Sequence, residues 1–280
     1  MKTKKKLFKH GISHYVALVL LIIGSVMMIM PFYWMIISAF KSQTELLQMP
    51  PTMFPEKIVW NNFARVFEAM PFLRFYVNSV VTAVVNTVVG VFTSCIIGYV
   101  FAKYEFRGRN ILFVLILTFM MVPYDTLMIP LYKIMVEMHW TNSYLVLTIP
   151  YFVNIFGIFL MRQFFLDLPD DYLEAAEIDG CGQFRTFWSV AMPIARPSMA
   201  ALCIFLFMAV YNSYLWPLIS VSSRDLFTLP VGIAGMMNDR GNQFDMLMAA
   251  STMVILPICV VFAAAQKNFI EGITMGGVKG

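Results

Sequence analysis

The sequence is poor in charge. Asp, Glu, Lys and Arg make up 13% of its 280 residues, about half the share usual in soluble globular domains. Histidine occurs only as His10, His14 and His139, and no H-E-x-x-H run is present. A metallohydrolase would lack its ligands, and no catalytic constellation or metal site is expected. The four cysteines (Cys95, Cys181, Cys203 and Cys259) form no C-x-x-C pair. Three lie in apolar stretches and read as packed thiols, not as a disulfide scaffold or a redox centre. No G-x-x-x-x-G-K-[ST] loop occurs, so any ATP would be held by another chain. There is no repeat of fixed period and no low-complexity tract.

What the chain has instead is apolar mass. Residues of the AVILMFWYC set make up 60%, with 26 Phe and 23 Met. A soluble fold of this length cannot hide so much apolar surface, because a large share of any fold stays wetted. The natural solvent is a lipid bilayer. Stretches without Lys, Arg, Asp or Glu cover 10–40, 75–102, 138–161, 197–223 and 246–266, and 110–132 is interrupted only by Asp125. With about 20 residues needed per crossing, six spans are predicted, near 14–39, 76–102, 110–132, 141–161, 197–220 and 246–266. The first is far longer than the apolar core of a signal peptide and no A-x-A site follows it, so it is read as a true span.

An even number of spans puts both termini on one side. Assigning that side as cytoplasmic places Lys2, Lys4, Lys5, Lys6, Lys9, Lys103, Arg107, Arg109, Arg162, Arg185, Arg196, Lys267 and Lys279 inside. It leaves Lys41, Lys57, Arg65, Arg74, Lys133, Arg224 and Arg240 outside, as the positive-inside rule prefers. The N-terminal lysines then flank a membrane span and do not mark nucleic-acid binding. Trp34, Trp140 and Trp216 fall near span ends, where interfacial aromatics belong. Prolines (Pro31, Pro123, Pro130, Pro150, Pro197, Pro217 and Pro257) stand in or beside five spans. Membrane helices tolerate them where neighbours re-satisfy the freed carbonyls.

In the external loop 40–74, Pro50, Pro51 and Pro55 stiffen the chain. Phe63, Val66, Phe67 and Met70 follow at the spacing of a short amphipathic helix. The inner connection 166–196 is too long for a bare linker. Asp170 or Asp171 can start a helix after Pro169, and Gly180 supplies a left-handed helix end. A second short helix is predicted from about Gln183 to Val190, stopping before Pro193. The expected fold is an all-α integral membrane protein with six transmembrane helices and a cytoplasmic helix–turn–helix between the fourth and fifth.

Candidate pathway groups are few. Asp125 is the one acid inside an apparent span, and intramembrane charge is costly and often functional. Three placements are open to it: the cavity wall, the external interface, or a pair with a partner subunit. Tyr211, Asn212, Tyr214 and Trp216 put aromatic and amide groups at the outer end of the fifth span. They suit sugar stacking and hydrogen bonding, and equally interfacial anchoring and bundle packing. Asn154 and Asn86 are similar. His139 reads as a solvated loop residue, and the methionines as flexible packing.

Glu174-Ala175-Ala176, followed after three residues by Gly180 and then by Val190-Ala191-Met192-Pro193, resembles the EAA signature of binding-protein-dependent ABC importer permeases. That signature reads E-A-A, three residues, G, nine residues, I-x-L-P. Val190 stands for the Ile and Met192 for the Leu. Asn78-Ser79, Pro130-Leu131-Tyr132, the run Phe156 to Leu160, Asn212 with Trp216-Pro217, and Gly276 to Gly280 resemble the carbohydrate-uptake branch, in particular the second maltose-type permease. The likeness covers nearly the whole chain and is weakest over 1–30.

The resemblance implies one transmembrane permease domain over 1–280 in a bacterial plasma membrane. It implies a second homologous permease, two ABC ATPases that bind ATP and Mg, and an external solute-binding protein. Glu174, Ala175, Ala176, Gly180 and Pro193 would form the ATPase-coupling loop, with Asp125, Asn154, Tyr211, Asn212 and Trp216 along the pathway. The segment 234–246 would face the binding protein, and the C-terminus would touch the ATPases. The chain itself would be a non-catalytic subunit without its own cofactor. The alternative is an ion-coupled secondary transporter, which calls for more buried acids and an internal repeat.

Overall fold

The computed structural model describes residues 12–240 and 243–277. Lys2, Lys4, Lys5, Lys6 and Lys9, residues 241–242 of the 234–246 segment, and Val278, Lys279 and Gly280 lie outside the described residues. Those that are described form helices and turns without a β-strand: this is an all-α membrane fold. The chain divides into two compact units.

The first unit comprises Met1–Ala69 with Asp239–Met253. It holds α1 (Ile12–Ser38), α2 (Gln43–Leu46) and α3 (Asn61–Ala69). α1 is long and apolar enough to cross a membrane, and none of its apolar window is buried within the protein; its flanks suit lipid. The connection beyond it is tightly built. The Asn62 amide donates to the carbonyls of Ala39 at 2.9 Å and Lys41 at 2.8 Å, satisfying groups that the end of α1 leaves open. The buried Lys41 ammonium donates to the Thr52 carbonyl and lies 4.6 Å over the Trp34 ring. Buried Glu45 accepts from the Thr52 hydroxyl at 2.7 Å and the Glu56 amide at 3.0 Å. Arg65 meets the buried Asp245 at 2.5 Å. The predicted amphipathic helix is α3, with Val66 buried and Phe67 exposed.

The second unit comprises Met70–Asn238 with Val254–Gly280, and it is organised on α4 (Phe72–Lys103). Of the most apolar window of α4, 44% is buried, so this helix is the core element. Its inward face carries Asn78, Ser79, Thr82, Asn86, Thr87 and Ser94, small or polar side chains that hold membrane helices together. Asn86 donates to the Leu147 carbonyl at 3.0 Å, Asn78 to those of Asp225 and Phe227, and the Ser79 hydroxyl accepts from the Leu229 amide.

After α4 come α5 (Arg109–Thr118), with a 3₁₀ turn to Met121, and α6 (Tyr124–Glu137). Then follow α7 (Tyr144–Thr148), a 3₁₀ turn Ile149–Tyr151, and α8 (Ile155–Asp167). α8 and α12 (below) are the helices packed most extensively on α4. Gly98 makes the α4–α8 approach possible: a Cβ there would lie 2.8 Å from Met161 and from the Arg162 amide.

The chain continues through α9 (Asp171–Ile178), α10 (Gln183–Thr186), a π turn Phe187–Ala191, α11 (Met192–Ile194), α12 (Arg196–Tyr211) and α13 (Leu215–Ser220). It ends with α14 (Leu229–Arg240) and α15 (Phe244–Gly277).

Four helical segments are long and apolar enough to span a membrane, and two bent pairs bring the number to six if each pair is one span. Three of the predicted spans are interrupted. The third is bent by 103° between Met121 and Tyr124. Val122 there is extended, as a residue before proline tends to be. The fourth runs from Tyr144 to Asp167 but is interrupted over 152–154. The fifth stops as a helix at Tyr211 and resumes only at Leu215. The second helix of the 166–196 connection also differs: it does not stop before Pro193. Pro193 lies in a helix that runs without a break from Gln183 through the π turn Phe187–Ala191 to Ile194, so its missing N–H falls where the π turn has already widened the helical hydrogen bonding.

Candidate translocation cavity and the 162–196 connection

The three interrupted spans break beside one another. The 121–124 bend, the 152–154 gap and the 212–214 gap all border a cavity of about 1040 Å³ within the second unit. Irregular backbone at membrane depth leaves carbonyls and amides without helical partners. It is tolerated only where it is buried in protein or lines a cavity. Here the breaks and the cavity coincide.

Asn154 lines the cavity and caps α8, its Oδ1 accepting the Gly157 amide at 2.7 Å. Trp216 lines it too, fully buried, with its indole N–H donating to the Val146 carbonyl at 2.8 Å. Three hydroxyls not anticipated from the sequence join them, those of Tyr124, Tyr151 and Ser213. The Tyr151 hydroxyl stands 3.2 Å from that of Ser213 and 3.5 Å from that of Tyr124. The two tyrosine rings lie 6.3 Å apart at 30°. The available signal was the prolines: Pro123 and Pro150 directly precede Tyr124 and Tyr151.

Tyr214 also lines the cavity, whereas Tyr211, Asn212 and Asp125 are placed elsewhere. Tyr211 is buried in packing, its hydroxyl donating to the Val254 carbonyl at 2.8 Å and its ring stacked on Phe207. Asn212 is exposed as the C-cap of α12, outside the lining. Asp125 is exposed in the first turn of α6 and also outside the lining. Carboxylates there are favoured by the helix dipole, which gives it a local reason to exist. Among the described residues no three His, Cys, Asp or Glu side chains gather as a metal site.

The 162–196 connection is well ordered by its own sequence. α9 ends in paired hydrogen bonds, Gly180 N–H to the Glu177 carbonyl and Cys181 N–H to the Ala176 carbonyl, each 2.9 Å. This Schellman closure needs a left-handed residue, and Gly180 has φ +81°. Ala176 is buried, while Glu174, Ala175, Glu177 and Ile178 face outward. Phe184 is 79% exposed, and Pro193 is exposed as well.

Beneath that outer surface the connection is fixed to α4. Tyr99 packs its ring 5.0 Å from Phe187 and 5.2 Å from Phe165. The Lys103 ammonium donates to the Leu168 carbonyl and to Asp170, each at 2.6 Å. The Tyr104 hydroxyl donates to Gln183 at 3.2 Å.

Broken apolar spans around a cavity, with a rigid polar connection fixed to the central helix, define a membrane permease. A family model described as the binding-protein-dependent transport system inner membrane component matches residues 90–274, and the chain belongs to that family. It is 37% identical over 259 residues to the arabinooligosaccharides transport system permease protein AraQ of Bacillus subtilis (strain 168), covering 91% of this chain and 92% of the relative. It is 32% identical over 263 residues to the sn-glycerol-3-phosphate transport system permease protein UgpE of Yersinia enterocolitica, covering 91% and 94%. The fold is similar, at TM-score 0.79 and 23% identity over 92% of this chain and 96% of the other, to a chain in the crystal structure of a bacterial ABC transporter involved in import of the acidic polysaccharide alginate.

Proposed function

We propose that this chain is a permease subunit of an ATP-driven carbohydrate importer in a bacterial plasma membrane. Its cavity is the subunit's share of the pathway, and its termini are cytoplasmic. The observation that carries the reading is the convergence of three span breaks on one cavity, in a chain whose relatives include a permease for arabinooligosaccharides.

In this reading a second permease completes the pathway, an external binding protein delivers the solute, and two ATPases bind ATP and Mg. The outward surface of α9 and α10, with Glu174, Ala175, Gly180, Phe184 and Pro193, docks on an ATPase. Ala176 sits beneath it as packing. Closure of the ATPases then pushes on α9, and the buried aromatic contacts pass the push to α4.

The test is Gly180→Val in the assembled transporter. The valine Cβ meets nothing of this chain within 4 Å, so within the subunit its effect falls on the backbone. Left-handed geometry costs a β-branched residue about 1–2 kcal/mol, which reshapes the end of α9. The expected result is normal membrane insertion with ATP hydrolysis no longer matched by uptake of labelled sugar. Unchanged uptake per ATP would remove α9 from the coupling path.

A further inference from the structure

Resting on that reading, the lining of the cavity goes further and selects among solutes. We propose that the cavity passes uncharged polyhydroxylated solutes and rejects anionic ones, with the hydroxyls of Tyr124, Tyr151 and Ser213 exchanging hydrogen bonds with the solute. Family membership does not make this choice. One relative is a permease for arabinooligosaccharides, which are neutral, and another for sn-glycerol-3-phosphate, which is an anion.

Among the described residues that line the cavity, none is a lysine, arginine, histidine, aspartate or glutamate. An anion entering it would shed water without meeting a cation, and an unpaired charge in an apolar site is strongly disfavoured. Apart from α13, which at 6 residues is too short to build much of a dipole, two helix starts border the cavity as sources of positive potential, those of α6 and α8. Both are already answered by the protein. Asp125 stands in the first turn of α6, and Asn154 Oδ1 takes the Gly157 amide of α8. Lys133 lies further along α6 and is not part of the lining.

What the cavity does offer suits a sugar. Tyr124, Tyr151 and Tyr214 provide aromatic surface. The Tyr151–Ser213 and Tyr151–Tyr124 separations of 3.2 and 3.5 Å form a loose chain of hydroxyls, each able to donate or accept. A solute hydroxyl can replace one of these contacts without leaving a buried group unpaired, which keeps binding weak enough for release.

The experiment uses the complete transporter with Val153→Cys on the cavity wall and Cys181, Cys203 and Cys259 changed to alanine. The rates of modification by a neutral methanethiosulfonate (MMTS) and an anionic one (MTSES) are compared with the same pair on free cysteine. The expected neutral-to-anion ratio exceeds the free-thiol ratio by about tenfold, equivalent to about 1.4 kcal/mol. A ratio at or below the free-thiol value overturns the proposal, and leaves an importer of acidic glycans standing.

In a second arm, neutral arabinotriose, maltotriose and raffinose are offered to the wild-type complex through its binding protein. With whichever is imported, Tyr151→Phe is expected to lower uptake roughly two- to tenfold at unchanged assembly, the size of a lost neutral hydrogen bond. Equal uptake by wild type and Tyr151→Phe removes the hydroxyls from the pathway. Complete absence of ATP-dependent sugar uptake strikes the carbohydrate reading itself, a failure that the thiol ratio does not share.

Discussion

At the break in the fourth span, Asn154 accepts the Gly157 amide at 2.7 Å while it faces the cavity. Removing the side chain therefore acts on stability and on the pathway wall together, and the two effects can be separated. Asn154→Ala takes away a helix cap worth about 1 kcal/mol, and should lower the apparent melting midpoint of the purified complex and slow uptake. Asn154→Ser restores the cap with a shorter group and should recover the midpoint without recovering full uptake. An alanine variant that melts like wild type would show that the cap contributes nothing. Of the residues the sequence singled out, Asn154 and Trp216 border the cavity, while Tyr211 and Asn212 do not. Tyr211 and Tyr151 look alike in sequence, each close to a chain break and each in an apolar run. What separates them is the direction each ring takes after its helix breaks. Tyr211 still belongs to α12 and points into its packing, while Tyr151 closes a 3₁₀ turn that opens on the cavity. Side-chain direction follows local helical phase, and that phase is set by tertiary bends which composition does not encode.

At the scale of elements, α4 carries the argument. Hydropathy identifies it as one span among six, yet it is the helix on which α8, α12 and the 162–196 connection are all packed. Its end is tied to the start of α9 by Lys103, which is 67 residues from Asp170 in the chain. No periodicity or motif links residues so far apart. Spans, prolines, the left-handed Gly180 and the amphipathic α3 were legible because each is a local property. The latch was not. Asp170 is largely exposed, so the ion pair alone is worth less than about 1 kcal/mol. The stronger anchor is the nearly buried ammonium on the Leu168 carbonyl, which otherwise lacks a helical partner. Lys103→Met keeps the packing stem and loses both contacts. In the proposed mechanism it should leave insertion and nucleotide hydrolysis in place while lowering sugar imported per ATP roughly two- to tenfold, the cost of a charge-assisted hydrogen bond or less. Lys103→Arg should preserve most of that ratio. An unchanged ratio in Lys103→Met would mean that force reaches α4 through the Tyr99–Phe187–Phe165 contacts alone, and Tyr99→Ala would then be the variant that uncouples.

For the whole molecule the decisive property is incompleteness. The chain has no P-loop to bind ATP, and the apolar window of α1 contributes nothing to the packed interior. A cavity lined by apolar and hydroxyl groups on three broken spans gives a route for a neutral solute but no source of energy to drive it. In the proposed mechanism that energy comes from a partner, and family membership makes an ABC ATPase the expected one. A tagged chain drawn gently from native membranes should bring with it an ABC ATPase and a second polytopic permease. Uptake in the reconstituted complex should stop when ATP is depleted and persist when a protonophore collapses the ion gradient. The opposite pattern would be the chain purifying alone from membranes that preserve other complexes, with uptake abolished by the protonophore. That would make the molecule self-sufficient and ion-coupled. Asp125 would then have to carry the coupling charge from its exposed place at the start of α6, a position outside the cavity lining. A coupling ion must be bound where solute binding can sense it, so Asp125→Asn should abolish uptake in that case. In the ATP-driven importer the same substitution should leave transport running, because the acid there answers the α6 dipole and lies outside the cavity lining.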